Sequence, residues 1–149
     1  MPRIERTAEI KWEGNLARGS GSIHATSSGA FGPLPYTLAS RIGSPEGKTS
    51  PEELLAAAHG GCFASSLAGE LTMLGVPPQW LEVSCTIVMD EVKENGHQIV
   101  ESQVNVRASV PDAGDETFEK AVGLADENCP FSAMLKRSGA TVDVSAERV

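Results

Sequence analysis

Aromatic residues are scarce in this chain: one Tyr, two Trp and four Phe make up 5% of its 149 residues. A core must therefore rest on Val, Ile, Leu and Ala. Long apolar runs are missing too, and no stretch approaches the ~18 residues that a membrane-spanning helix needs. Basic residues are outnumbered, with 12 Lys and Arg against 20 Asp and Glu, a net charge of −8 and a pI near 4.8. Such a surface repels phosphate backbones and anionic headgroups, so neither nucleic acid nor a membrane is an expected partner. The opening Met1-Pro2-Arg3-Ile4-Glu5-Arg6 has no apolar run behind its basic residues. No secretory signal is expected, and the expected location is the cytoplasm. Three cysteines in a reducing compartment do not suggest a structural disulfide framework; free, metal-bound and redox-active thiols remain open.

What is present suits one domain spanning residues 1–149. Ile4 to Trp12 and Gly19 to Thr26 read as strands parted by turn chemistry at Glu13-Gly14-Asn15. Tyr36 to Ile42 reads as a third strand. Ser50, Pro51 and Glu53 then mark a helix start: an N-cap, a proline at the first helical position and a capping-box carboxylate. The helix runs from Glu52 to about Leu74 and ends at Gly75-Val76-Pro77-Pro78. It carries no charge between Glu53 and Glu70, so burial over most of its circumference is expected.

Leu81, Val83, Cys85, Ile87 and Met89 alternate with polar residues, and Val100, Val104, Val106, Ala108 and Val110 repeat the pattern. With Asn95-Gly96 between them, the two runs read as a long antiparallel hairpin. Asp115 is placed to cap a second helix, a short helix begins near Cys129-Pro130, and Ala140 to Ala146 closes the chain as a strand. The expected class is α+β with a mainly antiparallel sheet.

The cysteines differ in setting. Cys85 falls on the apolar face of its strand, where a cysteine acts as a small hydrophobe. Cys129 precedes a proline at a helix start, where free N–H groups stabilise a thiolate, although a small residue that merely fills the helix entry suits the position equally. Cys62 lies mid-helix among small residues, a setting that suits core packing, yet two adjacent glycines leave room beside it. His59, three residues earlier, allows a Cys–His nucleophile pair or a zinc ligand. Zinc needs further ligands, and His24 and His97 fall elsewhere, so no metal and no bound cofactor are expected.

Thr49-Ser50-Pro51-Glu52-Glu53-Leu54-Leu55-Ala56-Ala57-Ala58-His59-Gly60-Gly61-Cys62-Phe63 resembles the osmotically inducible protein C and organic hydroperoxide resistance (OsmC/Ohr) family. Asn128-Cys129-Pro130-Phe131-Ser132 resembles that family's second cysteine motif, while Trp12-Glu13-Gly14, Arg18-Gly19, Pro35-Tyr36 and Arg41 resemble the segments before the helix. The likeness covers nearly the whole chain, and is nearer the osmotically inducible branch. It implies an intertwined homodimer with curved antiparallel sheets and a long central helix per subunit. It implies a thiol-dependent peroxidase acting on organic hydroperoxides in stress defence. Cys62 would be peroxidatic and Cys129 resolving, with Glu52 and Arg41 completing the site. Arg18 stands where the other branch takes its arginine. An external dithiol, of lipoyl type, would be the reductant.

Elementary chemistry fits this scheme. A thiolate attacks the O–O bond to leave a sulfenic acid, and a second thiol condenses with it. A guanidinium holds the thiolate, and a carboxylate orients the guanidinium. Glu52 and Cys62, ten residues apart, lie roughly 15 Å apart along a helix. If both serve one site, Glu52 is expected to come from the other subunit. Phe63, Phe131 and Met134 flank the cysteines and would line an apolar pocket, although each suits core packing as well. A protein dithiol-disulfide oxidoreductase or redox sensor, and a non-catalytic dimeric binding module, are the alternatives.

Overall fold

The structure is a computed structural model that describes residues 2–149. It divides into two compact units, residues 1–51 and 52–149. In the first, strands β1 (Ala8–Glu13), β2 (Ser20–Ala25) and β3 (Leu34–Tyr36) form an antiparallel sheet in that order. Gly21 pairs with both Trp12 and Tyr36, whose ring centroids lie 5.6 Å apart. A Cβ there would come within 2.5 Å of the Tyr36 ring and 2.8 Å of the Trp12 ring, so only glycine fits.

The third strand is shorter than the sequence suggests. After Tyr36 the chain turns into a short helix, α1 (Leu38–Ile42). Thr37 and Ser40 form a capping box, each side chain accepting from the other's backbone N–H. That local exchange overrides the strand propensity of the segment. Arg41 consequently sits in a last helical turn rather than on a strand.

The second unit is built around α2 (Pro51–Met73). Its hairpin pairs β4 (Trp80–Val92) with β5 (Gly96–Ser109) in antiparallel register, Cys85 opposite Val104 and Val83 opposite Val106. The turn spans residues 93–95, with Glu94 and Gly96 both at a φ of 72°. Helices α3 (Asp115–Asn128) and α4 (Pro130–Arg137) lead to β6 (Thr141–Arg148). The cap of α3 is Gly114, not Asp115, which is already the first helical residue. β6 runs parallel to β5, so this sheet is mixed. A parallel neighbour needs a crossover of a dozen or more residues, and α3 and α4 supply it.

Two rows of side chains divide α2. His59, Phe63, Leu67 and Leu71 are fully buried at intervals of four. The three hydrophobic members join Val104, Val106, Ala108, Val110, Phe118, Ala121 and Ala125 in one core. Glu53, Ala57, Gly61, Ser65, Gly69 and Met73, also at intervals of four, are exposed. The sequence suggests burial nearly all round; a single chain covers one side and leaves this second row open. Gly60 faces the sheet, where a Cβ would lie 3.2 Å from that of Cys85. Helix and strand therefore approach closely at Gly60 and Cys85.

Leu67→Ala would remove a fully buried side chain at the centre of this core. It is expected to cost about 2–5 kcal/mol of stability in chemical denaturation, with the m-value unchanged. A loss below 1 kcal/mol would contradict the packing described.

Candidate active site

Cys62 sits mid-way along α2, half-buried, one turn beyond His59. Cys129 occupies the elbow between two helices, closing α3 as its C-cap and opening α4 as its N-cap. It is fully buried, its N–H donating to the Ala125 carbonyl at 2.9 Å and its carbonyl accepting from Ala133 at 3.0 Å. Pro130, at the first position of α4, has no N–H, so Phe131 provides the first available backbone donor. That N–H lies near enough to Cys62 to lower the pKa of its thiol.

The two thiols are neighbours: burial raises the pKa of Cys62 above its ordinary value, and the adjacent Cys129 raises it further. The Phe131 N–H and the Ser66 hydroxyl act in the opposite sense, because both stabilise a thiolate. All three cysteines are free thiols. Local reasoning from the helix N-terminus points to Cys129 as the stabilised thiol. The fold also brings the first free N–H of α4 near enough to Cys62 to lower the pKa of that thiol.

His59 does not pair with Cys62. Its Nδ1 lies 2.7 Å from Ser102 Oγ on β5 and its Nε2 lies 2.8 Å from Ser132 Oγ on α4. All three side chains are fully buried. A neutral imidazole donates through one nitrogen and accepts through the other, and the two hydroxyls satisfy both. Burial lowers the His59 pKa below 6.5; the nearby Asp126 raises it and Lys136 lowers it. Cys85 completes the cluster, its Sγ 3.3 Å from Ser102 Oγ and 3.7 Å from His59 Nδ1. It lies on the core-facing side of β4, as its alternation implies, but among polar partners. Among the described residues no three His, Cys, Asp or Glu side chains group as a metal would require.

Glu52 lies in the first turn of α2, ten residues before Cys62 and so roughly 15 Å from it along the helix. Arg41 lies in the last turn of α1, and Arg18 lies in the turn between β1 and β2, both in the first unit. Phe63 belongs wholly to the core. Phe131, half-buried, adjoins Cys62 through its backbone. Met134 is 47% exposed and lines an open cleft of about 460 Å³ with Gln98, Ile99, Leu135 and Ser138. Neither Cys62 nor Cys129 lines that cleft. Sequence reasoning missed Ser66, Ser102, Ser132 and the Phe131 N–H. The spacing of Ser66, four residues after Cys62, is the one signal available for it.

The family model described as OsmC-like protein matches residues 43–145. Peroxiredoxin OsmC of Escherichia coli (strain K12) is 32% identical over 133 residues, which cover 89% of this chain and 91% of that protein. Among solved structures, an organic hydroperoxide resistance protein OsmC from Legionella pneumophila superposes with a TM-score of 0.73 at 22% identity, covering 97% of this chain and 99% of that one. OhrB of Bacillus subtilis, an organic hydroperoxide resistance protein, gives 0.67 at 22% identity, with 96% and 98% covered. These structures share the fold of this chain.

The buried His59 has a pH consequence. Its folded pKa is depressed, so its contribution to stability is complete above pH 6.5, the ordinary imidazole value, and is lost as pH falls through the folded value. The stability difference between wild type and His59→Asn should therefore shrink on acidification from pH 7 to pH 5, measured by urea denaturation. A difference that stays constant, or grows, over that interval would contradict a neutral buried His59.

Proposed function

The chain belongs to the OsmC-like protein family, and on that premise we propose that it is a thiol peroxidase reducing organic hydroperoxides through Cys62 and Cys129. The observation that carries the reading is that Cys129 and the Phe131 N–H both lie near enough to Cys62 to shift its pKa. A peroxidase function is supported by the 32% identity to Peroxiredoxin OsmC. The preference for organic substrates is supported by the naming of the structural neighbours as hydroperoxide resistance proteins.

The Cys62 thiolate attacks the distal oxygen of ROOH; the O–O bond breaks, the alkoxide takes a proton and leaves as ROH, and Cys62 becomes a sulfenic acid. Cys129 sulfur then displaces the hydroxyl, which leaves as water with the thiol proton, and a Cys62–Cys129 disulfide forms. An external dithiol, of lipoyl type, returns both thiols. Cys62 is assigned the first step because it is the less buried and receives the two hydrogen-bond donors. Phe131 is assigned to the wall that meets the alkyl or aryl body of the substrate, and Phe63 to the core behind it.

The thiolate has to overcome burial and the neighbouring thiol, both of which favour the protonated form. A guanidinium supplies the missing stabilisation, and Arg41 is the arginine assigned by the family resemblance. Glu52 would orient it, reaching Cys62 of a second copy because its own Cys62 is too far along the helix. The open row Glu53, Ala57, Gly61, Ser65, Gly69 and Met73 supports such a pairing of copies, since its small residues admit a close backbone.

Three measurements test the reading. With cumene hydroperoxide and a dithiol, Cys62→Ser should lose all turnover, while Cys129→Ser should complete the first oxidation but fail to cycle. Full turnover in Cys62→Ser would overturn the assignment. Arg41→Ala should slow alkylation of Cys62 at pH 7 by about tenfold, the effect of one pKa unit, and Arg41→Lys by less. An unchanged rate would remove Arg41 from the site. Sedimentation should give twice the 15.6 kDa mass of the chain, and a fully active monomer would exclude a shared Glu52.

A further inference from the structure

The thiol-bearing elbow is tied to α2 on both sides of Cys129. On the α3 side, Asn128 Nδ2 donates to Glu70 Oε1 at 2.9 Å, at an exposed position. On the α4 side, the tie is fully buried: Ser132, three residues past Cys129, meets His59 Nε2, and His59 Nδ1 is fixed by Ser102 on β5. His59 and Glu70 lie on either side of Cys62 along α2. The helix that carries one cysteine therefore holds the elbow that carries the other.

We propose that His59 is a positioning residue: through Ser132 and Ser102 it fixes α4 so that Cys129 is presented to Cys62 for disulfide closure. It touches neither sulfur of the reacting pair by any hydrogen bond of its ring, since both ring nitrogens are occupied by the two hydroxyls. The inference rests on the peroxidase reading for its place in the cycle, but the geometry concerns dithiol closure by any oxidant. Forming a disulfide brings two sulfurs to about 2.05 Å with a dihedral near 90°, so a small rotation of α4 disturbs closure far more than attack on a diffusing peroxide, to which α4 contributes only the nearby Phe131 N–H. Ser102 matters because it fixes which ring nitrogen faces Ser132. A neutral ring donating to Ser102 accepts from Ser132, and the reverse holds for the other tautomer.

The test uses Ser132→Ala and Ser102→Ala in the full chain, with Ser132→Thr and Ser132→Val as a pair of equal shape that differ in the hydroxyl. Two rates are followed by rapid quench, alkylation and intact mass. These are oxygen addition to Cys62 by cumene hydroperoxide, and closure of the disulfide. In Ser132→Ala and Ser132→Val, closure should slow at least tenfold while oxygen addition changes less than threefold. Ser132→Thr should close faster than Ser132→Val, the rescue that mere loss of packing does not give. Thermal melts identify any variant that fails to fold, and Ser102→Ala, which alters nothing on α4, then carries the test. Closure driven by diamide, which oxidises a dithiol to a disulfide and is itself reduced to the hydrazine, is measured alongside. A wild type that ignores peroxide but closes with diamide would refute the peroxidase reading and leave this inference to be judged on the diamide rates. Closure at the wild-type rate in Ser132→Ala and Ser102→Ala, or equal slowing of both steps, would overturn it.

Discussion

Everything at the site depends on one elbow. At Cys129-Pro130 the chain ends one helix and starts another within a single residue, and the backbone at Cys129 is extended, with φ −73° and ψ 116°. The proline removes the first N–H of α4, so the next donor, on Phe131, becomes the outermost one of the helix. It lies near a sulfur on a different helix, whose pKa it lowers. Had α3 continued straight, Cys129 would be one more residue of its face, and Cys62 would lack both its thiol neighbour and its N–H donor.

The rest of the second unit serves to hold that elbow in place. The crossover from β5 to a parallel β6 requires a long connection, and the elbow lies within it. Ala121, Ala125 and Phe118 fasten α3 to the core that α2 shares, and Leu135 is buried on α4. Gly60 lets α2 approach β4 at the level of Cys62. The buried polar cluster then adds what apolar packing does not: hydrogen bonds with fixed directions from His59 to two separate elements. Lys136 and Asp126, paired at 2.5 Å, fasten α3 to α4 near the surface.

Much of this was legible in the residues. The long hairpin follows from strict alternation, and α2 from its start and stop signals, because both depend on local chemistry. The helix start at Cys129-Pro130 was legible for the same reason. What was not legible depends on contacts distant in sequence. Nothing local tells that β6 lies parallel to β5, that the first N–H of α4 comes near Cys62, or that His59 reaches residues 43 and 73 positions away. Tyr36 to Ile42 misleads for the opposite reason: a capping box of only four residues outweighs the apolar pattern that suggests a strand. The open row on α2 has a further cause, since a face made of Ala, Gly and Ser reads alike whether it packs within the chain or against another copy.

The account turns on which two of the three sulfurs react, and one experiment addresses that directly. The reduced protein is treated with a single equivalent of cumene hydroperoxide, alkylated, digested without reductant and mapped by mass. The account predicts one cross-linked pair of peptides joining Cys62 to Cys129, with Cys85 recovered as the alkylated thiol. A cross-link through Cys85, or three alkylated thiols after exposure to peroxide, would contradict it.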